Sequence, residues 1–263
     1  MIKVCSLFSG SSGNCIFISY NDTAILIDAG VSGRRIEAAL AGIGESIDKI
    51  EAIFITHEHS DHISGAGILS RRHNIPIYAN SETWVAMRSE LGKIKSEFIR
   101  HIEPGELTSV GDIAIKSFPI PHDAVCPVGY NIFIKDKKLT IATDIGHMDE
   151  ELLSNLEKSE MVLLESNHDV EMLKTGRYPW PLKQRILGDK GHLCNDMAGK
   201  VVAHLAKCGT KKFLLGHLSK ENNFPELAYR TVCNALLDIK INPEKDIYLE
   251  VASRDRASNI LYI

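Results

Sequence analysis

Histidine and carboxylate are densest at Thr56-His57-Glu58-His59-Ser60-Asp61-His62, directly after the apolar run Ala52–Thr56. Three imidazoles and the carboxylate of Asp61 fall within six residues. Imidazole nitrogen and carboxylate oxygen are the donors that divalent zinc, manganese or iron accept. A loop leaving a strand end lets neighbouring side chains converge instead of alternating, so two adjacent cations are within its reach. One or two histidines in a polar loop would be incidental, but H-x-H-x-D-H after an apolar strand points to metal binding.

The surrounding chain alternates short β runs with helices. Ile2–Phe8, Cys15–Tyr20 and Ala24–Asp28 predict a strand meander, and Ser32 is placed to cap a helix over Gly33–Ala41. Strands at Ala52–Thr56 and Pro76–Ala79 then alternate with helices at Ser64–Arg72 and Ser81–Leu91, with Ser81 as cap. A second strand-rich stretch follows at Glu97–Ile102, Ile113–Pro119, Val128–Ile134 and Leu139–Thr143, with Asp136-Lys137 as the hairpin turn of the last pair. From Asp149 the pattern gives helices at Asp149–Ser154, Cys194–Lys207 and Pro225–Ile239, and strands at Met161–Glu165, Lys212–Gly216 and Asp246–Val251. Two β-then-α halves fit an α/β (α+β) four-layer αββα sandwich, with residues 1–263 as one domain. The loop 167–192 exceeds the usual connection length and reads as functional.

Composition narrows the class. Hydrophobic residues at 44% and charged residues at 24% describe an ordinary folded protein. A net charge of −4 argues against coating nucleic acid by bulk electrostatics, while leaving local basic patches open. The six cysteines contain no C-x-x-C pair and read as reduced, mostly packed thiols. No segment approaches the roughly 20 apolar residues that span a bilayer, and the opening residues lack the apolar run of a secretory signal, so a cytoplasmic setting without membrane attachment is expected.

H-x-H-x-D-H after a strand resembles the signature of the metallo-β-lactamase-fold hydrolase superfamily, whose fold is the αββα sandwich. Its other landmarks have counterparts here in order: Asp28 in Ile25-Leu26-Ile27-Asp28-Ala29-Gly30, His122 in Pro121-His122-Asp123, Asp144 in Ala142-Thr143-Asp144-Ile145-Gly146, and His217 in Leu215-Gly216-His217-Leu218-Ser219. The resemblance implies two divalent ions, zinc or manganese or iron. His57, His59 and His122 would hold one, Asp61, His62 and His217 the other, with Asp144 between them. Asp28 and Glu58 are candidates for the outer hydrogen bonds that fix histidine tautomers. His73, His101, His147 and His204 match no motif and read as surface or structural histidines.

Two such ions acidify a shared water and offset charge on attacking and leaving oxygens, which is hydrolysis. A dinuclear oxygen and nitrogen cage suits a phosphodiester, although glyoxalase-type thioesterases share it. Residues 174–190 carry five cations, Lys174, Arg177, Lys183, Arg185 and Lys190, against Asp189 alone. With Tyr178 and Trp180 interleaved, this surface is placed to grip phosphates and stack bases. Glu165-Ser166-Asn167-His168 and Gly191-His192-Leu193-Cys194-Asn195 resemble the Glu and His motifs of ribonuclease Z, which makes His192 the candidate general acid and Glu165 its partner. The second motif also opens a helix, where free N–H groups favour an anion.

Only 22 positions separate His122 from Asp144, too few for the RNA-gripping arm of ribonuclease Z. The 73 positions from Asp144 to His217 hold no β-CASP insertion. A closer resemblance is to the bacterial YycJ/WalJ-type group. It runs from Ser9-Gly10-Ser11-Ser12-Gly13-Asn14 through Gly176-Arg177-Tyr178-Pro179, Arg185-Ile186 and Gly191-His192 to Leu215-Gly216-His217-Leu218-Ser219, with Cys194 standing where Ser is expected. That resemblance implies a 5′-to-3′ exonuclease of double-stranded DNA, associated with mismatch repair. Asp61, His192 and Glu165 would be catalytic, with Arg177, Tyr178, Lys183, Arg185, Asn195 and Ser219 contacting DNA. Hydrolysis of a small cyclic phosphodiester, lactone or thioester is the first alternative, and a non-catalytic metal-bound interaction module the second.

Overall fold

The computed structural model describes all 263 residues. Strands β1 (Ile2–Phe8), β2 (Cys15–Tyr20) and β3 (Thr23–Ile27) form an antiparallel meander. Next come α1 (Gly33–Gly42), β4 (Ile50–Phe54), the single turn α2 (Ser60–Ile63), α3 (Ala66–His73), β5 (Ile77–Ala79), α4 (Ser81–Leu91) and β6 (Ile99–His101). β4, β5 and β6 extend the sheet in parallel from β3.

The second sheet repeats the plan. β7 (Leu107–Val110), β8 (Ile113–Pro119), β9 (Val128–Ile134) and β10 (Lys137–Ala142) are antiparallel neighbours. They lead into α5 (Glu150–Leu156), β11 (Met161–Glu165), α6 (Val170–Thr175), α7 (Trp180–Leu187), α8 (Asn195–Lys207), β12 (Lys212–Gly216), α9 (Pro225–Asp238) and β13 (Tyr248–Val251). β11, β12 and β13 are parallel to β10, and the closing strand β14 (Leu261–Tyr262) returns to pair with β1.

Three apolar layers explain why the strands read as near-continuous hydrophobic runs, since strands covered on both faces have no polar side. Ile16, Ile18, Ile25, Ile27 and Phe54 meet Ile115, Tyr130, Ile132, Leu139 and Ile141 between the sheets. The alternate residues Phe17, Leu26 and Ile53 pack under α1, α3 and α4, while Val162, Leu164, Phe213 and Leu215 pack under α5, α8 and α9. The four-layer αββα arrangement expected from the element order is the one observed. No helix is long and apolar enough to cross a membrane.

Several local expectations shift. Asn80, not Ser81, caps α4, because its Oδ1 accepts from the Thr83 N–H at 2.8 Å. The β9–β10 turn is Lys135-Asp136, one residue earlier than expected. Pairing Leu139 with Ile132 and Ile141 with Tyr130 keeps the inward face of the hairpin apolar, and Lys135 takes the left-handed conformation the turn needs. Residues 96–98 form a 3-10 turn ahead of β6. The segment expected as one long loop, 167–192, instead contains α6 and α7, with Asp169 capping α6 through the Met172 N–H. β7 and β14 are short strands that the sequence pattern did not indicate.

Candidate metal centre and substrate cleft

The cleft lies where strands end and loops of both sheets meet. Asp28 follows β3, His57 follows β4, His122 follows β8, Asp144 follows β10 and His217 follows β12. Asp28, Asp144 and His217 have φ of 61°, 61° and 55°, a left-handed conformation that non-glycine residues seldom adopt. Each departs abruptly from its strand direction at a cost of about 1–3 kcal/mol, the kind of strain found where side-chain aim matters.

The H-x-H-x-D-H turn is fastened on several sides. Tyr130 Oη donates to the Ile55 carbonyl at 2.6 Å, and the Val128 N–H donates to the Thr56 carbonyl, tying the second sheet to the start of the turn. The Asn14 N–H donates to the Asp61 carbonyl and the Ala29 N–H to the His62 carbonyl, both at 2.8 Å. Gly30 lies so close beneath that a Cβ there would fall 1.6 Å from the Asp61 carbonyl oxygen.

Two donor groups result. Ring nitrogens of His57, His59 and His122 converge in one, and Asp61, His62 and His217 in the other. Asp144 stands between them, with Oδ1 3.7 Å from His122 Nε2 and Oδ2 3.3 Å from His62 Nε2 and 3.0 Å from His217 Nδ1. His62 Nδ1 is 2.8 Å from Asp28 Oδ2, and Asp28 in turn accepts from the Thr56 N–H and hydroxyl. His122 Nδ1 contacts the Gly191 carbonyl at 3.0 Å, which leaves Nε2 toward the centre.

Electrostatics favour cations here. Burial pushes the His57 imidazole well below its usual range, so it is neutral and able to ligate. Burial also opposes charge on His62, yet Asp28 and Asp144 hold it well above the usual range. Burial raises the Asp144 carboxyl, but His217 and His62 beside it hold it well below the carboxylate range. Protons on imidazole thus offset the buried carboxylates, a task that bound cations would assume with release of those protons. Asp144 Oδ2 and His217 Nδ1 are buried and, although 3.0 Å apart, are aligned to hydrogen-bond neither each other nor another group, so the donor set fits a pair of divalent ions.

Glu165 is fully buried at the end of β11, where Oε2 accepts from the Ile145 and Leu193 N–H groups at 2.7 and 2.9 Å. Its Oε1 lies 2.8 Å from His192 Nδ1. Burial opposes charge on His192, but Glu165 outweighs it and raises the imidazole to about 9. His192 lines the cleft, a cavity of about 330 Å³ shared with His59, Asp61, Asp144 and His217.

The candidates for DNA contact divide. Tyr178, Arg185 and Ser219 line the cleft, Arg185 being paired with Asp123 Oδ2. Arg177 is exposed outside that lining. Lys183 is a correction: it is buried, and its ammonium donates to the Lys174 and Gly176 carbonyls at 2.7 Å each, pinning α7 to the end of α6. Asn195 is another, since it is buried in a network with Ser166 and Asn223. Glu58 contacts no metal-site histidine; its Oε1 accepts from the Val125 N–H. At the helix-start cradle the Gly191, His192, Leu193 and Asn195 N–H groups already donate to protein oxygens, so none of these four is free for an anion.

Three contributors escaped the sequence pattern. Asn14 Nδ2 reaches His62 Nε2 at 3.1 Å, a role that only its place in the Ser9–Asn14 loop beside the cleft hinted at. Asp123 lies 3.3 Å from His122 Nε2 and adjoins it in sequence. The third is the segment holding Arg254 and Arg256, which with Phe224 bounds a second hollow of about 640 Å³ that shares Ser219 with the cleft. The spaced Arg254-Asp255-Arg256 run carried no motif by which to place it there.

The sequence profile of the Metallo-beta-lactamase superfamily matches residues 9–187. The chain is 41% identical over 263 residues to "Exodeoxyribonuclease WalJ" of Streptococcus pneumoniae, covering 99% of this chain and 98% of that protein. It is 40% identical over 230 residues to "Exodeoxyribonuclease YycJ" of Bacillus anthracis, covering 88% and 87%. Among solved structures, the metallo-beta-lactamase fold protein YhfI from Bacillus subtilis superposes with a TM-score of 0.72 at 16% identity, over 98% of this chain and 100% of that one, a likeness of fold alone.

Proposed function

Because this chain belongs to the metallo-β-lactamase superfamily, and within it to the YycJ/WalJ-type group, we propose that it is a divalent-metal-dependent exodeoxyribonuclease acting from 5′ to 3′ on double-stranded DNA. We read residues 1–263 as one domain, since both halves contribute to the layer between the sheets. Two ions, zinc or manganese or iron, are assigned to His57, His59 and His122, and to Asp61, His62 and His217, with Asp144 shared. A cytoplasmic role in mismatch repair is the setting that the resemblance implies.

One joint observation carries this reading: the two donor groups face a cleft lined also by His192, which Glu165 holds from beneath, in a chain similar almost end to end to proteins named exodeoxyribonucleases. Divalent ions at such paired sites activate water and neutralise charge developing on phosphate oxygens. Glu165 engages Nδ1 of His192, so Nε2 is left to donate a proton to the departing oxygen. The raised affinity of that imidazole keeps the proton available at neutral pH. Asp28 and Thr56 hold the His62 ring in one orientation. Tyr178 offers a stacking face and Arg185 a guanidinium at the cleft wall, while Arg254, Arg256 and Phe224 extend the cationic and aromatic surface past Ser219.

The test is parallel digestion of duplex DNA labelled at either end, bis-p-nitrophenyl phosphate and a thioester by metal-replete protein. Stepwise release of nucleotides from the 5′ end is the expected result. Turnover of the thioester with intact DNA would overturn the nuclease reading in favour of a small-molecule hydrolase. Silence on all three would favour the interaction module.

A further inference from the structure

A separate donor group lies on the outer helical layer. His204 and Cys208 are four residues apart at the end of α8, and the Cys208 N–H donates to the His204 carbonyl at 3.1 Å, so helical geometry continues far enough to put both side chains on one face. Glu157 follows the last residue of α5 and meets them from the neighbouring helix. Its backbone is fixed by Lys138, whose ammonium donates to the Glu157 carbonyl at 2.8 Å and the Asn155 carbonyl at 2.7 Å. The thirteen residues of α8 put about 20 Å between this group and the Leu193 end of the helix beside the cleft.

The three donors converge on one point. His204 Nε2 is 2.7 Å from Glu157 Oε1 and 3.6 Å from Cys208 Sγ, and Sγ is 4.0 Å from that same carboxylate oxygen. A nucleophilic relay would need the thiol and the carboxylate at opposite ring nitrogens. Here both face Nε2, which is the arrangement of ligands around a shared ion. Tetrahedral zinc with bonds of about 2.3 Å to sulfur and about 2.0–2.2 Å to nitrogen and oxygen separates its ligand atoms by about 3.3–3.7 Å. The sulfur–nitrogen distance already matches, and a small side-chain rotation brings the other two into range. His204 and Glu157 remain 43% and 33% exposed, which gives an ion access and leaves room for water as a fourth ligand.

We propose that Glu157, His204 and Cys208 form a thiolate–imidazole–carboxylate site for one thiophilic divalent ion, zinc above all, distinct from the centre in the cleft. The bound ion clamps the end of α5 to the end of α8 over the second sheet. Sulfur sets its preference: the cleft centre draws only on nitrogen and oxygen and accepts manganese, whereas this site discriminates for softer ions.

Cobalt titration of the chelator-stripped full chain provides the test, because only a cobalt–thiolate bond gives an intense charge-transfer band in the near ultraviolet. Wild-type protein is expected to develop such a band with the intensity of one thiolate per ion, and zinc beyond the two equivalents that the cleft can hold should bleach it. Cys208→Ser should abolish the band and His204→Gln should weaken cobalt binding at least tenfold. Both should retain wild-type circular dichroism and nuclease activity with manganese within twofold. No band in wild type, a band that saturates only in large cobalt excess, or an undiminished band in Cys208→Ser would each overturn the proposal. The last outcome would move the thiolate to another cysteine.

Discussion

The two sheets furnish the cleft by different means. From the first come His57, His59, Asp61 and His62, all on one turn whose backbone is clamped by Asn14, Ala29 and Tyr130. The second supplies His122, Asp144 and His217 singly from the ends of β8, β10 and β12, with Glu165 from β11. In the first case donor geometry is set by local hydrogen bonds within a compact loop. In the second it is set by sheet register and by left-handed residues at strand ends, so each donor depends on a different part of the fold. Asp144 is where the two contributions touch, and its loss should damage both donor groups together.

Asp144→Asn is therefore expected to have the largest effect. It keeps side-chain volume and should leave the fold intact, but removes charge stabilisation worth several kcal/mol, lowering kcat on duplex DNA by about 10³-fold or more. Metal analysis of the same variant should show loss from both groups. Retention of a full complement would mean that the two contributions are independent.

His192→Ala tests the second sheet's contribution to proton transfer. A fall in kcat of about 10²-fold with little change in KM is expected. The sign of the pH dependence follows from the raised affinity: His192 carries its proton at neutral pH and loses it toward about 9, so kcat falls on the alkaline side. Bound cations would shift that limb to lower pH. The same pairing adds stability that is complete below the unfolded value near 6.5 and is lost as pH rises through about 9. In His192→Ala the alkaline limb should disappear from a pH-rate profile.

Lys183 separates scaffold from chemistry within this half of the molecule. Lys183→Met leaves two partly buried carbonyls without their donor, so a loss of about 1 kcal/mol is expected in urea denaturation, with DNA affinity nearly unchanged. Affinity falling more than stability would restore a phosphate-gripping role. Arg185→Ala should be mildest, raising KM about threefold to tenfold and reducing the salt slope of binding by about one.

What the sequence disclosed follows the same division. The histidine turn was legible as a convergence of donors because they are contiguous, and the αββα layering because strands buried on both faces write unbroken apolar runs. His122, Asp144 and His217 became candidates only through their order along the chain, since nothing local marks an isolated histidine as a ligand. Lys183 and Asn195 misled because composition reports charge and polarity but not direction: one points inward to carbonyls, the other into a side-chain network. The hidden use of the Gly191, His192, Leu193 and Asn195 N–H groups and the turning of Arg254 and Arg256 toward Ser219 are tertiary facts without local signals. His204 looked incidental until α8 and the end of α5 brought Cys208 and Glu157 to it.

Manganese titration of chelator-stripped protein, read as nucleotide release from 5′-labelled duplex DNA, tests the dinuclear centre most directly, since manganese suits its oxygen and nitrogen donors and disfavours thiolate. Activity should be absent without metal, reach its plateau near two equivalents per chain, and stay about 10³-fold or more below wild type in Asp144→Asn at any manganese concentration. Full activity in the stripped protein, or in Asp144→Asn, would contradict a catalytic centre built from these residues.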